Sequence, residues 1–100
     1  MYVKKHIDNG RLILGACDES LIGKKIEDST MVLDLSSSFY KGERLSESAF
    51  LDLVRKSYIV NAVGVDCIEC LIKAEFIGKN EAKKLLNVPY IQLVFDAKID

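Results

Sequence analysis

The stretch "NAVGVDCIECLIKAEFIG", residues 61–78, decides how the rest of the chain must be read. Val65, Ile68, Leu71 and Ile72 recur at three- and four-residue spacing, which lays one apolar stripe along a helix. Asn61 is the side chain to cap such a helix, and Gly78 the residue to end it after about residue 76. Immediately before it, Ala49, Phe50, Leu53, Val54 and Tyr58 repeat at the same spacing over about 47–57. Ser46 can cap this earlier helix, with Leu45 stapled against Phe50. Very few residues join the two, so the sequence predicts two consecutive helices in mid-chain.

Strand patterns lie on both sides of that pair. Residues 2–7 and 11–17 are short apolar-rich runs separated by "DNGR", and Asn9-Gly10 suits the positive φ angles of a type I′ turn. The second run, "LILGAC", is apolar on both faces and therefore belongs inside a sheet. "DESLIGKK" reads as one helical turn capped by Asp18, favoured by Glu19 at its positive end and stopped by Gly23. "TMVLDLS" alternates Met31, Leu33 and Leu35 against Val32, Asp34 and Ser36, the period of a half-buried strand. After the helices "AKKLL" fits strand or helix, whereas "YIQLVFD" following Pro89 alternates like a closing strand. The expected fold is α+β: an N-terminal β-hairpin and a further strand form a small sheet with a late closing strand, and the two helices pack on it.

Composition narrows the function classes. One hundred residues hold one core, so residues 1–100 are expected to form a single globular domain. With 49% apolar and 29% charged residues the chain lies far from the composition of disorder. Fourteen Lys and Arg against fifteen Asp and Glu give a net charge of −1, which disfavours a nonspecific nucleic-acid coat. The basic doublets Lys4-Lys5, Lys24-Lys25, Arg55-Lys56 and Lys83-Lys84 are scattered and read as solvated faces. The N-terminus turns polar before a signal-peptide core develops, and no stretch approaches a membrane span. Three cysteines without an export signal point to reduced thiols in the cytoplasm.

Several segments together resemble the archaeal family known only as domain of unknown function 424. They are "ACDESLIGKK", "VLDLSSSFYKGE" leading into the first helix, "NAVG" with Gly64 opening the second, and "NVPYIQ" with Pro89 near the end. The family lends no activity. The resemblance implies an archaeal cytosolic protein loosely associated with translation genes. Members often carry His where this chain has Tyr90, which removes an acid-base candidate there.

Each chemical constellation has a plainer reading. Cys67 and Cys70 have redox or metal spacing, but both fall inside the predicted helix, away from the N-terminus that lowers a thiol pKa. Cys17 and His6 would complete a zinc set only from opposite ends of the hairpin. Buried packing cysteines are the expectation, with no metal and no cofactor. Cys17 beside Asp18 is the runner-up catalytic pair; as a nucleophile Cys17 needs a base, and His6, the sole histidine, pairs near Ile13. The triple serine at 36–38 lacks the glycines and the Lys-Ser/Thr ending of a phosphate loop. Phe39 and Tyr40 stand side by side in the polar loop "SSSFYKGERL", residues 36–45. Rings beside cations are what readers of unpaired RNA bases use. Phe39, with no polar atom, is assigned inward, and Gly42 turns the chain. Tyr40, Lys41 and Arg44 are the presented set, with Lys24 and Lys25 as neighbours. The sequence thus favours a non-enzymatic binding module for RNA or a ribonucleoprotein, without membrane contact. An enzyme using Cys17 is the second reading. The third is an adaptor whose "YIQLVFD" strand adds to a partner's sheet or pairs with its own copy in a homodimer.

Overall fold

In the computed structural model, which describes residues 1–95, the hairpin forms as its turn chemistry predicts. Strands β1 (Tyr2–Asp8) and β2 (Arg11–Cys17) pair antiparallel from Tyr2↔Cys17 to Asp8↔Arg11. Asn9 and Gly10 between them take φ of 53° and 76°, the left-handed pair a type I′ turn requires. A 3-10 turn at Glu19–Leu21 follows β2. The strand expected in "TMVLDLS" forms as β4 (Val32–Asp34), pairing with β3 (Lys25–Glu27) in a separate two-stranded sheet. The two-residue strand β5 (Glu43–Arg44) pairs with the outer edge of β1 at Tyr2 and Val3.

Helix α1 (Glu47–Lys56) begins where predicted, with Ser46 Oγ accepting from the Ala49 amide at 3.2 Å. It buries Phe50 and Val54, while Leu53 is half-buried. Between the helices the structure departs from the sequence reading. Residues Ile59–Val63 form a strand, β6, and Asn61 lies at its centre rather than capping a helix. Helix α2 (Val65–Lys73) starts later, from Gly64, and ends at Lys73, with Glu75 in the left-handed region at φ 65°, so Gly78 is not its stop. The later start turns Cys67, Ile68, Cys70 and Leu71 to the core and leaves Val65 50% exposed. The physical reason is β2: its two apolar faces and unpaired edge need a neighbour, and "IVNAV" supplies one, in parallel from Ile13↔Ile59 to Cys17↔Val63. "AKKLL" contributes β7 (Lys83–Leu85), and β8 (Val88–Val94) is the closing strand. Asp96, the last residue of "YIQLVFD", lies outside the described residues.

The main sheet therefore has the order β5-β1-β2-β6-β8-β7, antiparallel except at β2–β6. The α+β class holds, with the helices consecutive in the chain and packed together on one face. That face carries Leu14, Ala16, Val60 and Ala62 against Phe50, Val54, Cys67, Ile68, Cys70 and Leu71. Side chains alternate across a sheet, so Cys17 and Val63 point the other way, into a second cluster with Leu35 under the β3–β4 segment. Among the described residues no helix is long and apolar enough to cross a membrane.

Candidate functional site

The loop between β4 and β5 folds onto the sheet face opposite the helices. The Phe39 amide donates to Ser37 Oγ at 3.3 Å and the Gly42 amide to the Tyr40 carbonyl at 2.9 Å, so serines and tight turns satisfy the backbone. At the loop's entry Asp34 accepts from both the hydroxyl and the amide of Ser36, which holds its carboxyl below the ordinary range. The Phe39 ring lies directly over Gly15, where an added Cβ would stand 2.6 Å from two ring carbons. Its neighbour is His6: the rings stack with centroids 4.3 Å apart at 11°. His6 Nε2 lies 2.9 Å from the Phe39 carbonyl and, since a carbonyl only accepts, donates to it.

Phe39 and Tyr40 do not divide as the sequence suggests. Both are half-buried, and Tyr40 is the ring that packs on the fully buried Cys17, Leu35 and Val63. Burial pushes the Tyr40 hydroxyl pKa up, aided by the neighbouring Cys17. Tyr40 also meets Phe39 edge-on at 5.1 Å. Lys24, Lys25, Lys41 and Arg44 are all exposed. Arg44 pairs with Glu19 at 2.8 Å, and Lys25 stands opposite Asp34 in the β3–β4 register. Gly42 passes so close to the Val3 carbonyl that a side chain there would overlap it.

Strand register extends the Phe39 site into a wider surface. One row across the sheet runs His6, Ile13, Ile59, Val94; the next runs Lys4, Gly15, Asn61, Gln92. Gln92 Nε2 donates to Asn61 Oδ1 at 2.9 Å, and Asn61 Nδ2 reaches the Leu14 carbonyl at 3.4 Å. The third row, Tyr2, Cys17, Val63 and Tyr90, lies under the β3–β4 segment, where the Tyr90 hydroxyl meets Met31 Sδ at 3.3 Å. In the first two rows Phe39 covers only His6 and Gly15, and the β6–β8 end is open: Val94 is 55% exposed, Gln92 is exposed, and Ile13, Ile59 and Asn61 are partly exposed. His6 and Asn61 thus join a surface to which sequence reasoning did not assign them. The signal lay in their parity with Gly15, which is legible only once the register is known.

Where the parallel strands end, Cys17-Asp18 abuts Val63-Gly64, and the Asp18 amide donates to the Val63 carbonyl at 3.1 Å. The Asp18 side chain makes no capping bond to the 3-10 turn. Its carboxylate accepts from the amides of Asp66 at 3.0 Å and Cys67 at 2.9 Å, so it caps α2 from a distance in sequence. Gly64 is at φ 112°, and a Cβ on it would overlap that carboxylate. The Gly64 amide in turn donates to the Pro89 carbonyl at 2.8 Å. Cys17 is fully buried; burial, reinforced by the Asp18 charge, pushes its thiol up to about 11. Burial and Asp18 raise the Cys67 thiol as well, and burial, then Glu47, raises Cys70. A nucleophilic cysteine requires a thiolate and a base, but this thiol is neutral at physiological pH. His6 pairs with Ile13, while Cys17 pairs with Tyr2 at the hairpin's far end. All three cysteines are free, and among the described residues no group of three or more His, Cys, Asp or Glu side chains is placed to hold a metal.

The corner thus joins "ACDES", "NAVG" and "NVPY", three of the segments on which the family resemblance rests. The model of the family described as "Protein of unknown function (DUF424)" matches residues 6–95. The chain belongs to the DUF424 family. Its fold is similar to the crystal structure of an uncharacterized conserved protein from Methanopyrus kandleri. The TM-score is 0.78 at 20% identity, over 99% of this chain and 96% of that one. At that identity the likeness shows that the DUF424 fold is shared. No curated protein matches the chain.

Proposed function

We propose that the protein is a non-enzymatic binding module whose working surface is the uncovered part of the sheet face, and that it meets unpaired bases of an RNA or ribonucleoprotein. The observation that carries this reading is the His6–Phe39 stack beside the Asn61–Gln92 amide pair. Aromatic faces stack on bases and amides read base edges, while exposed Lys41 and partly exposed Lys4 supply cations for phosphate. The neutral, buried Cys17 thiol and the engagement of Asp18 as a helix cap argue against the enzyme reading. Free thiols suit a reducing, cytoplasmic compartment. The test is affinity purification from native lysate with and without ribonuclease, followed by titration with single-stranded oligonucleotides. Binding that falls roughly five- to a hundredfold with His6→Ala, the worth of one stacked base, supports the proposal. A partner that survives ribonuclease, together with no oligonucleotide binding, would sink it.

One observation favours a second reading, the adaptor. Strand β7 pairs only with Val88–Tyr90, so Ile91–Val94 of β8 has an outer edge without a strand partner among the described residues. Such an edge can add a strand from another protein or pair with a second copy. Light scattering on the purified chain separates the homodimer from the monomer.

A further inference from the structure

At the hairpin end of the sheet, on the helix side, a groove of about 510 Å³ opens between the β1–β2 turn, the last turn of α1 and the start of β6. This lies within the range of sites that enclose small ligands. Its floor is apolar and aromatic: Leu12, Tyr58, Phe76 and Phe95, the last two edge-to-face at 6.1 Å. Ile7, 70% exposed, flanks the mouth.

Three cations line the groove, and they are not equivalent. Arg55 is held by Asp52 at 3.0 Å. Arg11 and Lys56, from opposite walls, have no ion-pair partner among the described residues. The Arg11 guanidinium lies 4.4 Å over the Tyr58 ring. A guanidinium stacked this way is oriented in advance and keeps its in-plane N–H groups for an anion. Arg55 and Lys56 would serve the negative end of α1 in any case. Two last-turn carbonyls are already answered by Ser57, whose hydroxyl donates to Leu53 at 2.7 Å and whose amide donates to Val54 at 3.1 Å. Arg11 comes from a different element and has no such duty.

We propose that this groove binds a small aromatic phosphomonoester, the chemistry shared by a free nucleoside monophosphate and the 5′-phosphorylated end of an RNA strand. The planar ring lies against the Leu12 and Phe95 part of the floor, since Arg11 covers Tyr58 and Arg55 lies 6.0 Å over the Phe76 ring. The phosphate, carrying about −1.5 to −2 charge near neutrality, bridges Arg11 and Lys56. The groove lies on the helix side, so the proposal stands apart from the sheet-face reading.

The experiment is calorimetric titration of residues 1–100 with the four nucleoside 5′-monophosphates, their nucleosides and inorganic phosphate. A tetranucleotide with and without a 5′-phosphate completes the set. The expected result is saturable binding of at least one phosphorylated ligand, with nucleoside and inorganic phosphate each about tenfold weaker or more. Arg11→Gln and Lys56→Gln should each weaken binding about tenfold, the worth of one charge-assisted hydrogen bond, while Lys83→Gln, which removes an exposed cation on β7, should not. A preference for the monophosphate identifies a free nucleotide; a preference for the tetranucleotide that depends on its phosphate identifies a strand end. Lys56→Gln changes an exposed residue and serves as the second probe should Arg11→Gln disturb the turn. No saturable binding of any phosphorylated ligand overturns the proposal. So does inorganic phosphate binding as tightly as the monophosphates, or binding that survives both substitutions.

Discussion

A helix that begins at glycine has no side chain of its own to satisfy its first amides, and α2 begins at Gly64. Asp18 supplies the missing acceptor across the sheet, and the absence of a Cβ on Gly64 leaves room for it. The pair makes three predictions for urea denaturation. Asp18→Ala should cost about 2–3 kcal/mol, because it combines the loss of a cap with an orphaned buried amide. Asp18→Asn keeps one acceptor oxygen but sets its NH2 against the second amide, so it should lose part of that, about 1–2 kcal/mol. Gly64→Ala should cost at least about 1–3 kcal/mol for its backbone conformation alone. If Asp18→Ala melted like the wild type, the capping role would be lost. None of this was legible locally: in sequence Asp18 stands before a turn it fits equally well, and Asn61 offered α2 a nearer cap.

At the scale of elements, α1 was the most readable part of the chain. Its periodicity, Ser46 cap and buried Phe50 all follow from residues within one helix length. Phe50→Ala should cost roughly 3–5 kcal/mol, the usual range for emptying an aromatic core site, and a loss under about 1 kcal/mol would mean that the helix docks otherwise. The loop carrying Phe39 depends instead on a glycine in another element. Gly15→Ala forces a methyl group into the Phe39 ring and should lift the loop from the sheet. The loss expected is about 1–3 kcal/mol, with His6 ring resonances shifting as the stack opens. Unchanged His6 shifts would show that the loop is held by something else. Strand β6 is hidden in the sequence because five apolar-rich residues between two helical patterns fit either period. Its partner β2 lies some 46 residues away in the register.

For the whole molecule, the raised thiols set a limit on stability at alkaline pH. Below about pH 9 Cys17 is protonated in folded and unfolded chains alike. Between about 9 and 11 the unfolded chain releases a proton that the native state keeps, so stability falls as pH rises through that window. Cys17 alone should account for about 2–3 kcal/mol of the fall, and Cys67 acts in the same direction. Urea midpoints from pH 8 to 11 should decline less steeply for Cys17→Ala than for the wild type. Parallel slopes would show that Cys17 does not titrate as its burial requires.

The residues alone determined what depends on near neighbours: the hairpin and its Asn9-Gly10 turn, helix α1, the existence of a second helix, the closing strand and the α+β class. Family membership was legible too, because segments in the right order survive without knowledge of their contacts. The tertiary structure alone decided what joins distant positions. It placed β6 in the sheet beside β2, gave Asp18 to α2, brought His6 onto Phe39, and turned Tyr40 toward Cys17. Pairing partners, caps from across a sheet and the face on which a side chain lies depend on strand register. Register is chosen by burying apolar rows and satisfying backbone groups over the whole chain at once, so no window of neighbouring residues contains it.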